Sequence, residues 1–240
     1  MLLRNSVFLG LVFFVLTLSS KESLAQSEIT ANKTEELTSQ ENFVKFPKRG
    51  GMSRSMKKWQ DAGGFRSAKF NMDEKGVMRA IAKDFKVSKT KVERRVNSNK
   101  TIILTIHLPK LLEIGGPADI VYILGYKSKR LIQINIDWGA GISNNPTPNR
   151  EVVGVGNLLT SYFLKKRYYK ENFVINGRLN DTTFLLFRGQ YEKTRIITVK
   201  LIHPKSLLVG DLSASQHPIS LILSYGANWK KPDIFKLKGE

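Results

Sequence analysis

Apolar residues between positions 71 and 86 recur with the spacing of one helix face. Because residues three and four apart lie on the same side of an α-helix, this pattern predicts a helix over 73–85. Asn71, with Glu74 three residues later, resembles a capping box, so we expect Asn71 to cap this helix. The apolar residues are Val77, Met78, Ile81, Ala82 and Phe85.

A second apolar stripe follows the polar loop 139–149. Thr147 before Pro148 is typical of a helix start, in which the Thr caps the helix and Pro takes the first helical position. The stripe ends at the cations Lys165, Lys166 and Arg167, whose charge suits the negative end of a helix dipole. The stripe itself consists of Val152, Val155, Leu158, Leu159, Tyr162 and Phe163.

Alternating and β-branched residues predict strands between and after these helices. In the run 130–138, one face is expected to carry Ile132, Ile134, Ile136 and Trp138. The other face carries Gln133, Asn135 and Asp137, so the run predicts a half-buried strand of an antiparallel sheet. The remaining runs are 91–97, 100–108, 118–126, 172–178, 182–188, 194–202 and about 218–225.

The order of helices and strands indicates the fold class. A helix, then strands, then a second helix and further strands is typical of an α+β protein. We therefore expect mainly antiparallel sheet with two principal helices in a domain spanning 71–240. Two α-then-β halves, 71–140 and 147–240, share this order without a residue-level repeat. The pattern leaves open whether the halves share one sheet.

The first 25 residues have the features of a secretory signal peptide. Arg4 precedes a twelve-residue apolar run, VFLGLVFFVLTL, and small residues at Ser23 and Ala25 suit a cleavage site. An uncleaved anchor is the alternative, but a spanning helix needs about 20 apolar residues. We expect cleavage near Ala25, export to the periplasm or the extracellular space, and no transmembrane segment afterwards.

Residues 26–70 are predicted to be a flexible leader followed by a basic arm. The arm, 43–70, contains eight Lys/Arg and one Asp. Met52, Met56 and Trp59 have helical spacing, with cations between them, which is typical of a segment that folds on a membrane or in a partner's groove. Packing on the protein's own sheet and an unstructured linker are the alternatives. The candidate contact residues are Arg54, Lys57, Lys58 and Trp59.

The net charge indicates the class of partner. The chain has 39 Lys+Arg against 20 Asp+Glu, a formal charge of +19, which attracts polyanions. Export argues against nucleic acid, so we expect an anionic lipid or polysaccharide of the cell envelope, or an acidic protein. The basic–aromatic segment Lys165–Lys170 adds Lys165, Lys166 and Arg167 as candidate anion contacts. The alternative is that the charge serves solubility alone.

Candidate catalytic groups are few. The chain has no cysteine, which excludes thiolate chemistry. With only three histidines, a His-rich metal site is not expected. Asp119 and Asp137 lie on strands expected to pair, and two facing carboxylates can perform acid–base hydrolysis. The sequence nevertheless favours solvent-facing charges at strand ends for both residues. His107 is expected to be a packed or edge histidine.

Two other motifs resemble known sites only in part. Gly154 and Gly156 lack the third glycine of a dinucleotide loop and lie within a helical stripe, so they predict close helix–sheet packing and no cofactor. The other motif is a possible catalytic triad in sequence: His203 and His217 flank Asp211, and the serines Ser206, Ser213 and Ser215 lie nearby. Proximity in sequence does not establish triad geometry.

These observations together favour an exported, non-catalytic binding or scaffold protein of the cell envelope. Its strongly basic surface and arm would contact an anionic surface or partner. Two alternatives stay open, namely a subunit of an envelope protein complex and a cofactor-free envelope hydrolase.

Overall fold

The computed structural model describes residues 62–145, 147–191, 194–203 and 217–236. All of them belong to one compact unit, Phe46–Glu240. Within these ranges the chain forms two α-helices and ten strands. The helices are α1 (Glu74–Phe85) and α2 (Asn149–Leu164). The strands are β1 (Gly64–Phe65), β2 (Ala68–Lys69), β3 (Glu93–Val96), β4 (Ile102–Leu108), β5 (Ala118–Leu124), β6 (Leu131–Gly139), β7 (Tyr169–Asn180), β8 (Thr183–Tyr191), β9 (Arg195–Ile202) and β10 (Ser220–Gly226).

Eight strands form one antiparallel sheet. Their order is β3-β4-β5-β6-β10-β9-β8-β7, and every neighbouring pair is antiparallel. The first helix precedes four consecutive strands and the second helix precedes the other four. The predicted α+β class is therefore confirmed, and the two α-then-β halves share one sheet, joined where β6 pairs with β10.

Both helices pack on the same face of this sheet. Ile81 of α1 and Val155 of α2 are fully buried, and they belong to one core cluster with Ile120, Ile136 and Val199 of the sheet. Because side chains alternate along a strand, the residues between these core positions point to the opposite face. We call this opposite face the polar face. Its polar residues are His107, Asp119, Asn135, Asp137, Arg188, Thr198, Lys200 and Ser224, and it also carries the buried apolar residues Ile103, Ile123, Leu185 and Ile222.

Helix α1 begins within one residue of the predicted start, but its capping residue lies two positions later than predicted. Asp73, not Asn71, caps the helix, because its Oδ1 accepts a hydrogen bond from the Gly76 N–H at 2.8 Å. Asn71 instead has a φ of 70°, a left-handed conformation that Asn tolerates. Glu74 pairs with Arg94 on β3 at 2.8 Å, so it joins the helix to the first strand of the sheet.

The start of α2 also differs from the prediction. Pro148, rather than Thr147, holds the cap position, and no side chain caps the helix. Asn149 instead connects the helix to the segment before β10. Its Nδ2 donates to the His217 carbonyl at 2.9 Å, and its Oδ1 accepts from the Ile219 N–H at 3.1 Å. This pair of hydrogen bonds fixes where β10 enters the sheet beside β6.

Strand β6 contains an irregularity that the alternation did not predict. Gln133 pairs with Ile123, but Leu131 pairs with Leu124, so one residue is inserted in the register. Such a bulge displaces the residue it inserts. Leu131 is consequently fully buried in the core cluster, whereas Ile132, predicted to lie there, is half-buried and outside it.

The last residues of the predicted basic arm are folded. Ala62, Ala68 and Phe70 are buried in the core cluster, and β1 and β2 form a short hairpin. The Phe65 ring lies 5.8 Å from the ring of Tyr225 on β10. The described fold thus includes nine residues ahead of position 71, where the sequence pattern placed its start.

Candidate functional site

Three titratable side chains form a row across adjacent strands of the polar face. His107 on β4 pairs with Asp119 on β5, and Asp119 pairs with Asp137 on β6. The His107 Nδ1 lies 2.8 Å from the Asp119 Oδ1. Side chains of directly opposed residues have their Cβ atoms about 5 Å apart, so the two carboxylates are immediate neighbours. We call these residues the acidic row.

The surroundings of the acidic row favour a bound proton. Burial raises the pKa of Asp137 to about 7, and the neighbouring Asp119 adds to the increase. The whole side chain is only half-buried, but its Oδ1 is enclosed and has no hydrogen-bond partner among the described residues. A carboxylate shares its charge between both oxygens, so enclosing one of them away from water disfavours the charged form. Burial also raises the pKa of Asp119, and the hydrogen bond from His107 offsets part of this increase.

The expectation that both carboxylates face solvent is wrong for Asp137. Its Oδ1 is enclosed, although the side chain as a whole is half-buried. A carboxyl group that keeps its proton near neutral pH can donate that proton, and the adjacent carboxylate can act as its partner. The arrangement supplies the two groups that acid–base hydrolysis requires.

The predicted contacts on the basic arm, Arg54, Lys57, Lys58 and Trp59, lie outside the described residues. The other three predicted contacts are found where α2 ends. Lys165 and Arg167 are exposed and Lys166 is half-buried. They follow the last helical residue, Leu164, with Lys165 at the cap position.

Exposed apolar side chains lie close to these three cations in the chain, and one of them contacts Lys166. Leu158 and Tyr162 are each 49% exposed although they lie on α2, and their i, i+4 spacing puts them on one helix face. The Lys166 Nζ lies 5.3 Å from the centre of the Tyr162 ring, which is a cation–π distance. Together with the exposed Tyr169, these residues form what we call the α2–β7 surface: Leu158, Tyr162, Lys165, Lys166, Arg167 and Tyr169.

Exposed apolar residues are concentrated in the chain segment that contains this surface and strand β7. Nine large hydrophobic side chains are exposed among the described residues, and six of them lie between Leu158 and Leu179. Single exposed hydrophobic residues are ordinary, whereas a concentration of them marks an interaction surface. The concentration therefore selects the end of α2 and the strand after it as the contact region.

The remaining sequence candidates have structural roles where the structure describes them. The His203 N–H donates to the Thr182 carbonyl at 2.8 Å, and the His217 carbonyl accepts from Asn149. Asp211, Ser206, Ser213 and Ser215 lie outside the described residues. A Cβ at Gly156 would lie 2.7 Å from the Leu186 Cδ1. This glycine therefore permits close packing of α2 on the sheet, as the sequence interpretation expects.

The described ranges contain neither a membrane-spanning helix nor a metal-binding cluster. Neither helix there combines the length and the apolar character needed to cross a bilayer. No group of three or more His, Asp or Glu side chains there is arranged to hold a metal ion. Comparison with known proteins adds no relationship, since no family model, no curated protein and no solved structure matches this chain.

Proposed function

We propose that this protein is an exported, non-catalytic binding protein of the cell envelope, and that its α2–β7 surface contacts anionic lipid headgroups. The observation that carries the proposal is the exposed Leu158–Tyr162 pair on α2 with Lys165 and Lys166 beside it. A membrane interface favours this combination, because the apolar side chains enter the acyl boundary while the cations stay among the headgroups.

The apolar part of the surface favours lipid over polysaccharide. A polysaccharide offers charge but little apolar volume, so it would leave Leu158 without a favourable environment. Tyrosine has an apolar ring and a polar hydroxyl, which suits the boundary between acyl chains and water. Lys165, Lys166 and Arg167 supply the electrostatic attraction, worth about 1 kcal/mol for each cation near an anionic surface.

Sedimentation with lipid vesicles tests the proposal. The purified chain is mixed with phosphatidylcholine vesicles, with and without phosphatidylglycerol, and the bound fraction is measured over a lipid titration. A Lys165→Gln/Lys166→Gln/Arg167→Gln variant should lower the partition coefficient for anionic vesicles on the order of 100-fold, since three cations contribute about 3 kcal/mol. Rising salt should weaken wild-type binding.

A matched control separates this surface from the general positive charge. The variant Lys83→Gln/Lys89→Gln/Lys91→Gln removes the same charge from exposed positions near the end of α1. It should bind anionic vesicles nearly as well as the wild type. Equal losses in both triple variants would show that net charge, not the α2–β7 surface, drives binding. A Met56/Lys57/Lys58/Trp59 quadruple alanine variant measures the basic arm separately.

The acidic row supports a second candidate, a cofactor-free hydrolase. Asp119 and Asp137 face each other across β5 and β6, and Asp137 holds its proton up to a pH of about 7. Turnover of a panel of chromogenic glycosides and esters would be measured for the wild type. Activity that disappears in both Asp119→Asn and Asp137→Asn would favour this candidate over the binding protein.

A further inference from the structure

Two cations lie close together on the polar face, away from the acidic row. Arg188 on β8 pairs with Thr198 on β9, and Lys200 lies two residues beyond Thr198 on the same face. Diagonal neighbours of this kind are about 7–8 Å apart at the backbone, within reach of long side chains. Burial lowers the pKa of Lys200, and the charge of Arg188 lowers it further. Burial also lowers the pKa of Arg188.

Among the described residues, no nearby carboxylate balances the positive charge of this pair. In the described part of the chain, neither Arg188 nor Lys200 forms an ion pair with an Asp or Glu. The nearest acid in the same cross-strand row is Asp137, with Ile222 between it and Lys200. Two strand spacings separate these two residues by about 10 Å. Two partly buried cations without a counter-charge are costly unless another group compensates them.

The Trp229 side chain places a second hydrogen-bond donor beside the Arg188 guanidinium. The Arg188 guanidinium carbon lies 4.8 Å from the centre of the Trp229 ring, so the two planar groups are in contact. The Trp229 N–H of the backbone donates to the Thr194 carbonyl at 3.2 Å and holds the residue near β9. The Arg188 Nε and the Trp229 Nε1 are both enclosed, and neither has an acceptor among the described residues.

Enclosed donors without acceptors are rare in folded proteins and call for an explanation. Both donors here belong to side chains in contact with each other, and a second cation lies diagonally across. An oxyanion supplies what is lacking, because its oxygens accept several hydrogen bonds and its charge neutralises the cations. Arginine in particular matches the planar geometry of carboxylate and phosphate groups.

We propose that Arg188, Lys200 and Trp229 form a binding site for a small molecule that carries an oxyanion, either a carboxylate or a phosphate group. The site lies on the polar face, on the other side of the sheet from α2. It is independent of the lipid-binding proposal, and its residues are not part of the α2–β7 surface.

Nuclear magnetic resonance of the tryptophan side chains tests this site directly. The chain has three tryptophans, so an ¹⁵N-labelled sample gives a small set of indole N–H signals, and a Trp229→Phe variant identifies that of Trp229. Inorganic phosphate and succinate are titrated separately, and sodium chloride at matched ionic strength is the control. The Trp229 signal should shift and saturate with phosphate, with succinate or with both, whereas the Trp138 signal from the helix-covered face should not move.

Substitutions then assign the contacts. Arg188→Gln and Lys200→Met should each weaken binding at least about tenfold, as expected for loss of a charge-assisted hydrogen bond. Lys200→Arg should retain binding within a few-fold, which guards against a loss of folding as the cause. Lys75→Met removes the same charge from an exposed position on α1 and should bind like the wild type.

Two results would overturn the proposal. One is a Trp229 signal that responds to chloride as it does to phosphate and succinate, since that is general ionic screening. The other is equal affinity in the wild type, Arg188→Gln and Lys200→Met. A response to phosphate alone identifies a phosphate-bearing ligand. A response to succinate alone identifies a carboxylate-bearing ligand. Either result supports the site.

Discussion

Replacing Asp137 with asparagine should make the protein more stable at neutral and alkaline pH. The pKa of this carboxyl is raised from its ordinary value of 3.8 to about 7 in the folded chain. Below about pH 4 the folded and unfolded chains both hold the proton. Between that pH and about 7 only the folded chain holds it, so the unfolded chain binds fewer protons and the stability falls as the pH rises.

The size of the effect follows from this change in pKa. Each pH unit between the two pKa values corresponds to about 1.4 kcal/mol, so the loss across the whole interval is about 4 kcal/mol. Above about pH 7 the loss is complete and the stability no longer depends on this group. Asparagine has nearly the same shape and no charge. The Asp137→Asn variant should therefore lack this decline and exceed the wild type by several kcal/mol at about pH 8.

Urea unfolding followed by tryptophan fluorescence measures the effect. Midpoints and slopes would be determined from about pH 4 to 8 for the wild type and for Asp137→Asn. An Asp181→Asn variant is the control, since it removes an exposed carboxylate. The difference between wild type and variant isolates Asp137 from the other titrating groups. Parallel stability profiles for the wild type and Asp137→Asn would show that Asp137 does not keep a raised pKa in the folded chain.

Two further predictions concern the fold. Asp73→Ala should lower the free energy of unfolding by about 1 kcal/mol, because the cap to the Gly76 N–H is lost. Glu74→Ala should cost less, because Glu74 forms an exposed ion pair with Arg94. Urea denaturation of both variants compares the two effects. Phe163→Ala should cost about 3–5 kcal/mol, because this ring is 1% exposed and stacks on Phe187 at 5.4 Å. A thermal midpoint near that of the wild type would contradict the second prediction.

The elements were predictable where the periodicity was strong. Val77 and Ile81 of the α1 stripe, and the alternating Ile134, Ile136 and Trp138, follow directly from burying one face, and all five are found in the core. Ala82 of the predicted stripe is exposed, and Ala80 is buried instead. The caps and the bulge were not predictable, because they depend on hydrogen bonds and register. Asp73 and Asn71 are both good capping residues, and only the backbone conformation of Asn71 decides between them.

The candidate sites were predictable only in part. The sequence suggested Asp119 and Asp137 because their strands were expected to pair, but the register that sets them opposite each other exists only in the sheet. Arg188 and Lys200 were not identified. A signal was available, since each cation interrupts a strongly apolar strand, in TFLLFRGQY and RIITVKLI. A charge in such a strand indicates a specific role, because its burial is costly unless another group compensates it.

The local pattern of residues was enough to predict the two helices, most of the strands, the α+β class and the strongly basic charge. These follow from short-range spacing and composition, which require no knowledge of distant residues. Long-range pairing, by contrast, joins the two halves into one sheet, aligns one polar residue from each of β4, β5 and β6 into the acidic row, and brings Trp229 against Arg188. Each of these depends on contacts between residues far apart in the chain, and such contacts are fixed by strand register and order rather than by local pattern.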